Sequence, residues 1–210
     1  MSDNFENQNG QMVAKKPKKK FLGVGGVTGA ILEWVVLIGV AVLVAFVIRN
    51  NVFMMVHVQG SSMQNTLQEG DWLYVNRFLY NPDSASNRGD IVIFTPTDEQ
   101  DPDNKVYIKR VIAVAGDLIY IDTATSTVFV NGEAVDEPFI KEANFSLGLR
   151  NLGDFSREEP LEVPEGYIFT MGDNRNGSSD SRNIGLVSVE QVMGRALFRV
   201  FPFGSFGGLQ

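Results

Sequence analysis

The segment that most limits how this chain can fold is an apolar run near its start, from Gly29 through Ala30-Ile31-Leu32-Glu33-Trp34-Val35 to Val47-Ile48, whose only charge is Glu33. As a helix of about 20 residues at about 1.5 Å each, it is about 30 Å long, enough to cross the hydrocarbon core of a bilayer. Glu33 falls near the beginning, where a carboxylate sits at headgroup level and close to a helix N-terminus, so it does not oppose a membrane span. A cleaved secretory leader would also begin basic and turn apolar, but its apolar stretch runs about 7 to 15 residues and ends in an Ala-x-Ala-like site. Here Arg49-Asn50-Asn51 comes next instead. The expectation is an uncleaved transmembrane anchor over residues 29–49. Five lysines, Lys15, Lys16, Lys18, Lys19 and Lys20, precede it, and Arg49 alone lies close after it. The positive-inside rule then makes 1–28 a flexible, basic cytoplasmic tail and 50–210 an extracytoplasmic domain of a single-pass cell-membrane protein, with the lipid bilayer as a partner.

Composition closes off several chemistries. The 210-residue chain has a net charge of −7, and outside the N-terminal lysines its cations form no long basic face, so nucleic acid is not an expected partner. Cysteine is absent, which removes disulfides, thiol catalysis and thiolate metal sites, and the single histidine, His57, cannot build a His-rich metal site. Neither a metal nor a cofactor is expected. The 44% apolar content is ample for a core.

Beyond the anchor the sequence reads as mainly β, a compact antiparallel domain. Val52–Val58, Asp71–Val75, Asp90–Phe94, Val106–Val114, Leu118–Ile121, Gly166–Met171 and Arg195–Phe201 are short β-branched or aromatic runs separated by Gly, Asp and Pro punctuation. Thr127-Val128-Phe129-Val130-Asn131-Gly132-Glu133-Ala134-Val135 reads as a hairpin, Asn-Gly favouring a type I′ turn. Residues 123–164 are acidic and turn-rich, as a solvent-exposed, β-rich insertion would be. Short helical turns are expected near 187–192, with Ser188 as a cap.

Three stretches carry candidate chemistry. Gly60-Ser61-Ser62-Met63 directly succeeds a strand-like run and displays small hydroxyls at its end; alone it is an ordinary polar turn. A nucleophilic serine needs a base, and His57 lies five residues along a strand, about 16 Å away, so it reads as a strand side chain. A neutral lysine can replace imidazole if burial lowers its pKa from about 10.4. Lys109 lies in the apolar run Tyr107-Ile108-Lys109-Arg110-Val111-Ile112, whereas Lys105 and Lys141 have polar surroundings. Lys109 and Arg110 also read as ordinary charges on an exposed face; as strand neighbours they point to opposite sides, so only one need enter a site. The third stretch, Met171-Gly172-Asp173-Asn174-Arg175-Asn176-Gly177-Ser178-Ser179-Asp180-Ser181-Arg182, suits a hydrogen-bonded loop that fixes side chains. As a calcium loop it has too few carboxylates, two opposing arginines and no final Glu at EF-hand spacing.

Taken together these stretches resemble bacterial type I signal peptidases, membrane-anchored Ser-Lys endopeptidases, in the single-anchor form. Ser62-Met63-Gln64-Asn65-Thr66-Leu67 resembles the serine box, Arg88-Gly89-Asp90 the Arg-Gly-Asp box, Tyr107-Ile108-Lys109-Arg110-Val111 the lysine box, and Gly172-Asp173-Asn174-Arg175 through Ser178, Asp180, Ser181 and Arg182 the last box. All four stand in the family's order after an anchor. Asn65 departs from the usual Pro, Ala113-Val114-Ala115-Gly116-Asp117 from the common Gly-Leu-Pro-Gly-Asp, and Gly60 from the serine that some members carry there as an oxyanion donor. The resemblance implies Ser62 as nucleophile, Lys109 as general base, Ser178 orienting the lysine, Asp180 and Arg182 supporting the loop, and an oxyanion region at Gly60 and the Ser62 N–H. Met63 and Ile108 are the candidate walls of shallow pockets for small residues of the partner, a preprotein signal peptide cut after an Ala-x-Ala type sequence. A non-catalytic membrane-tethered assembly factor of the same fold and a self-cleaving Ser-Lys regulator are the rival readings; the first has no need of a buried lysine, and the anchor stands where the second would carry a DNA-binding domain.

Overall fold

The structure, a computed structural model, describes residues 5–6, 12–13, 27–77, 88–103, 105–141 and 155–209. The tail lysines Lys15 to Lys20 and the middle of the expected insertion, 142–154, lie outside the described residues. The chain divides into two compact units, Met1–Val47 and Ile48–Gln210. In the first, Phe5–Glu6 pairs with Met12–Val13. Helix α1, which spans Val27–Val52, carries the apolar run. Its Gly29–Val47 stretch has a mean hydropathy of 2.7 and is long and apolar enough to cross a membrane. Trp34, Leu37, Leu43 and Phe46 are all exposed around it, the pattern of a helix apolar on every side rather than on one stripe.

In the second unit the described strands all pair antiparallel, with the short helix Ser181–Ile184 and a few 3-10 turns between them. Its strands are β1 (Phe53–His57), β2 (Trp72–Asn76), β3 (Ile91–Phe94), β4 (Tyr107–Val114), β5 (Leu118–Asp122), β6 (Thr127–Val130), β7 (Glu133–Ala134), β8 (Leu161–Glu162), β9 (Tyr167–Met171), β10 (Val187–Ser188), β11 (Val192–Phe201) and β12 (Gly207–Gly208). The larger sheet runs β10-β9-β4-β3-β11-β2-β1, with β12 beside β11; the smaller runs β8-β5-β6-β7. β4 is an interior strand of the larger sheet, between β9 and β3, and everything after Tyr107 in it is buried, Lys109 and Arg110 included. On β3 the pleat sends Ile91 and Ile93 into one core cluster and Val92 and Phe94 into another.

Local chemistry settled several details. Asn131 and Gly132 both have positive φ, 55° and 82°, as the Asn-Gly turn between β6 and β7 requires. Ser188 caps the short 3-10 turn Val189–Gln191 in a full capping box. Most described residues of 123–164 are exposed or half-buried, but Val128, Phe155 and Val163 are buried in one cluster with Ile112, Ala113, Phe169 and Met171 of the larger sheet. The acidic surface residues of this stretch hide, in sequence, the alternate apolar positions that pack inward.

Candidate active site

Ser62 occupies the connection from β1 to β2. The ladder continues past β1 through Val58 N–H to Asp71 O (2.8 Å) and Gly70 N–H to Val58 O (3.0 Å), then the chain turns. Gly60 takes a φ of +84°, a left-handed conformation that suits glycine. Leu67 N–H donates to Met63 O at 2.8 Å, and both side chains are buried in the cluster that includes Val58, Leu73 and Ile108. Each such burial contributes about 1.5–3 kcal/mol. Met63 and Leu67 thus pin the turn while Ser62 stays partly exposed above it.

Lys109 reaches the same place from β4. Its Nζ lies 2.8 Å from Ser62 Oγ and 3.1 Å from the Ile108 carbonyl oxygen. Only 4% of the lysine is exposed and Arg110 is 1% exposed, so the exposed-face reading of this pair does not hold. Burial brings the Lys109 pKa down to about 8, with the Arg182 cation pushing the same way and the Asp180 and Asp173 carboxylates opposing. A lysine this close to its neutral form, hydrogen-bonded to a serine hydroxyl, has what a general base needs.

The loop after β9 packs against both. Asp180 is fully buried and accepts from Gly172 N–H (2.9 Å) and, at 2.8 Å each, from Arg182 Nε and Nη2. Burial would raise the Asp180 carboxyl, but the arginine and the Gly172 N–H outweigh it and hold it below the usual carboxylate range. Arg182 also donates to Arg175 O at 2.7 Å. Ser178 Oγ is buried without an aligned hydrogen bond, although the hydroxyl is near enough to Asp180 to add slightly to the lowering. It therefore makes no hydrogen bond to Lys109 here. Met63 and Ile108 line the open cleft beside Ser62, of about 670 Å³, together with Val56, Val58, Tyr107 and Ser179. His57 is exposed on β1, its ring 5.0 Å from that of Trp72. Among the described residues no group of His, Asp and Glu could hold a metal ion.

A family model described as signal peptidase, peptidase S26, matches residues 31–201. The chain belongs to that family. Among similar family members, signal peptidase I of Bacillus licheniformis is 39% identical over 83% of this chain and 90% of its own. Signal peptidase I T of Bacillus subtilis strain 168 is 38% identical over 94% of each, and signal peptidase IB of Staphylococcus aureus strain COL is 32% identical over 84% of this chain and 92% of its own. A crystal structure of a signal peptidase I from Enterococcus faecalis V583 is 28% identical over 51% of this chain and 93% of its own; its TM-score, 0.38, is too low to add to the fold.

This peptidase-family site also uses residues to which sequence reasoning gives no role. Asn174 donates its backbone N–H to Ser62 O and its side-chain amide to Ser61 O, both at 3.0 Å, and so ties the last box to the serine turn. Arg110 points away from Lys109, as strand alternation demands, and meets Asp173 through Nε (2.9 Å) and Nη2 (2.7 Å) and Gly89 O through Nη1 (2.7 Å). Thr66 donates to the same Asp173 carboxylate, and the Phe139 ring lies 3.9 Å from the guanidinium carbon. Arg88 pairs with Asp117, which caps the turn after β4 by accepting from Val114 N–H at 2.9 Å. Arg175 pairs with Glu137. The clue lay in the box residues themselves, whose conspicuous Asp, Asn and Arg side chains look for partners beyond their own stretch.

Proposed function

We propose that this chain is a membrane-anchored serine endopeptidase that removes signal peptides from exported preproteins, cutting after small residues of the Ala-x-Ala type. The observation that carries the reading is the buried Lys109 amine held 2.8 Å from Ser62 Oγ. In this reading neutral Lys109 takes the Ser62 proton as Oγ attacks the scissile carbonyl. The ammonium so formed protonates the leaving amine, and the lysine then activates the water that hydrolyses the acyl-enzyme. The Ser62 N–H, with the Gly60 region, stabilises the oxyanion. Ser178 orients the lysine, its buried hydroxyl being unpartnered at rest, and Asp180 with Arg182 holds the loop that carries it.

The substrate binds as an added strand in the cleft, its small side chains against Met63 and Ile108. The 29–49 span crosses the membrane with the basic tail in the cytoplasm and 50–210 outside, so enzyme and signal sequence share one membrane and the effective concentration at the cut is high. The test is cleavage of an Ala-x-Ala preprotein by the purified full chain in detergent. Wild type cleaves, and both Ser62→Ala and Lys109→Ala lose activity by at least about a thousandfold. Full activity of Lys109→Ala overturns the base assignment, and binding without cleavage by wild type favours the assembly-factor reading. Protease added to intact cells digests the 50–210 domain if the orientation is as stated and leaves it whole if inverted.

A further inference from the structure

Tyr107 and Lys109 stand two residues apart on β4, and the pleat places them on the same face. The Lys109 Nζ lies 4.9 Å from the centroid of the Tyr107 ring, over its face. That is within the range in which an ammonium is drawn to an aromatic face. The half-buried ring has contacts at one edge and at its hydroxyl. Its register partner Phe94 meets it edge-on, with centroids 5.7 Å apart and planes at 65°, and its hydroxyl lies beside Ser179 and Asp101. These contacts restrict the ring's rotamers before the charge arrives.

We propose that Tyr107 is a positioning residue that acts through Lys109: its ring face receives the positive charge formed on Nζ when the Ser62 proton is taken, and keeps Nζ in line with Oγ. The inference rests on the Ser62–Lys109 reading of the site. In the step concerned, the Oγ–H bond breaks, the proton and its charge pass to Nζ, and the Oγ electron pair forms the new bond to the substrate carbonyl carbon, whose oxygen takes the negative charge. The ammonium then sits in a buried site, where burial penalises it. The charged groups that face Nζ are Asp180 and Asp173, which favour the cation, and Arg182, which opposes it; beside the Tyr107 hydroxyl are Asp101 and Lys105. None of these is an aromatic face, so the ring supplies an attraction that the carboxylates do not duplicate.

The sign of the effect separates this role from simple lining of the cleft. An aromatic face stabilises the protonated lysine, so weakening the face lowers the pH midpoint of the rising limb of kcat/KM and also lowers the alkaline plateau rate. A residue that only lines the cleft changes KM or rate without moving the midpoint. The test places phenylalanine and its mono-, di- and trifluorinated forms at position 107 of the full chain, a series that keeps the shape while draining the ring face. Phenylalanine leaves the midpoint within about 0.2 pH units of tyrosine, and the series then steps down by about half a unit to about one and a half units in total. A flat series, or a rise, overturns the proposal. Should turnover become too slow to follow, the ¹³Cε resonance of Lys109 in a Ser62→Ala background reads the same midpoint without catalysis. A flat series while Lys109→Ala is inactive removes the ring's role alone; an active Lys109→Ala removes the underlying base assignment.

Discussion

Asn174 grips the Ser61 carbonyl with its side-chain amide at 3.0 Å and, through its backbone N–H, the adjoining Ser62 carbonyl at the same distance. A residue 113 positions from Ser61 in sequence thereby fixes the backbone that carries Ser62. Asn174→Ala removes the side-chain grip and leaves the Ser61 carbonyl with the Gln64 N–H, 3.1 Å away, as its remaining partner, a loss of about 0.5–1.5 kcal/mol. The expected outcome is a fall in kcat of about tenfold with KM nearly unchanged, because the substrate cleft keeps its walls while Ser62 loses its alignment. Steady-state kinetics on a preprotein substrate check it.

Gly172 lies where the chain leaving strand β9 passes directly behind this turn. A Cβ built there would sit 2.3 Å from Ser178 Oγ and 2.5 Å from Ser62 O. The Ser62 oxygen belongs to backbone, so it cannot swing away as a flexible side chain would. Gly172→Ala is expected to lower kcat by about a hundredfold, the scale of a misplacement of a reacting group by about 1 Å. Thermal unfolding shows a smaller change than Asp173→Ala produces.

Lys109 makes opposite demands on activity and stability. Its folded pKa, about 8, is below the 10.5 of a free lysine. The unfolded chain therefore binds more protons between these values, and stability rises with pH across that window. Below about pH 8 the lysine is charged in both states and its burial costs about 3 kcal/mol, at about 1.4 kcal/mol per unit. With Lys109 as the proposed base, kcat/KM is expected to climb through about pH 8 as the amine becomes neutral. Lys109→Met abolishes cleavage yet raises stability to denaturant at about pH 7, and the gain shrinks as the pH approaches about 10. Denaturant titrations of both proteins at the two pH values check this.

Arg110 and Asp173 are 1% and 0% exposed at their side chains and form a bidentate pair. Removing one partner leaves an uncompensated buried charge, so Asp173→Ala is expected to destabilise the domain by about 3–5 kcal/mol. The loss exceeds that of an ordinary hydrogen bond because Thr66 and Arg110 both depend on this carboxylate. A double-mutant cycle with Arg110→Met recovers a large part of the loss, since the stranded guanidinium is then gone.

Much of the domain is legible in the sequence because its signals are short-range. Most of the strand runs end within a residue or two of the observed β1 to β6 and β9, and the Asn131-Gly132 turn and the Ser188 cap are written in adjacent residues. The second sheet is harder to read. Phe155 and Val163 are single apolar residues in acidic surroundings, and nothing local says that they meet Phe169 and Met171 of another sheet. Asn174 is obscure for the same reason: in sequence it is one more polar residue in a polar loop, and its importance lies in two carbonyl groups more than a hundred residues earlier.

The sequence by itself determined the apolar span, the all-β character of the chain beyond that span and the identity of the four boxes, because each depends on the side chains of neighbouring residues and on the period of two or the unbroken apolarity they display. What only the tertiary structure decided is the chemistry of Lys109 and Arg110. The strand run alone does not separate two adjacent cations, and the family resemblance alone marks Lys109; in the fold the pleat sends one to Ser62 and the other to Asp173. The first loses its water without gaining a direct carboxylate partner and has its pKa lowered, while the second is neutralised by a bidentate ion pair. Desolvation and charge pairing are sums over everything nearby in space, and those neighbours arrive from strands and loops far away along the chain.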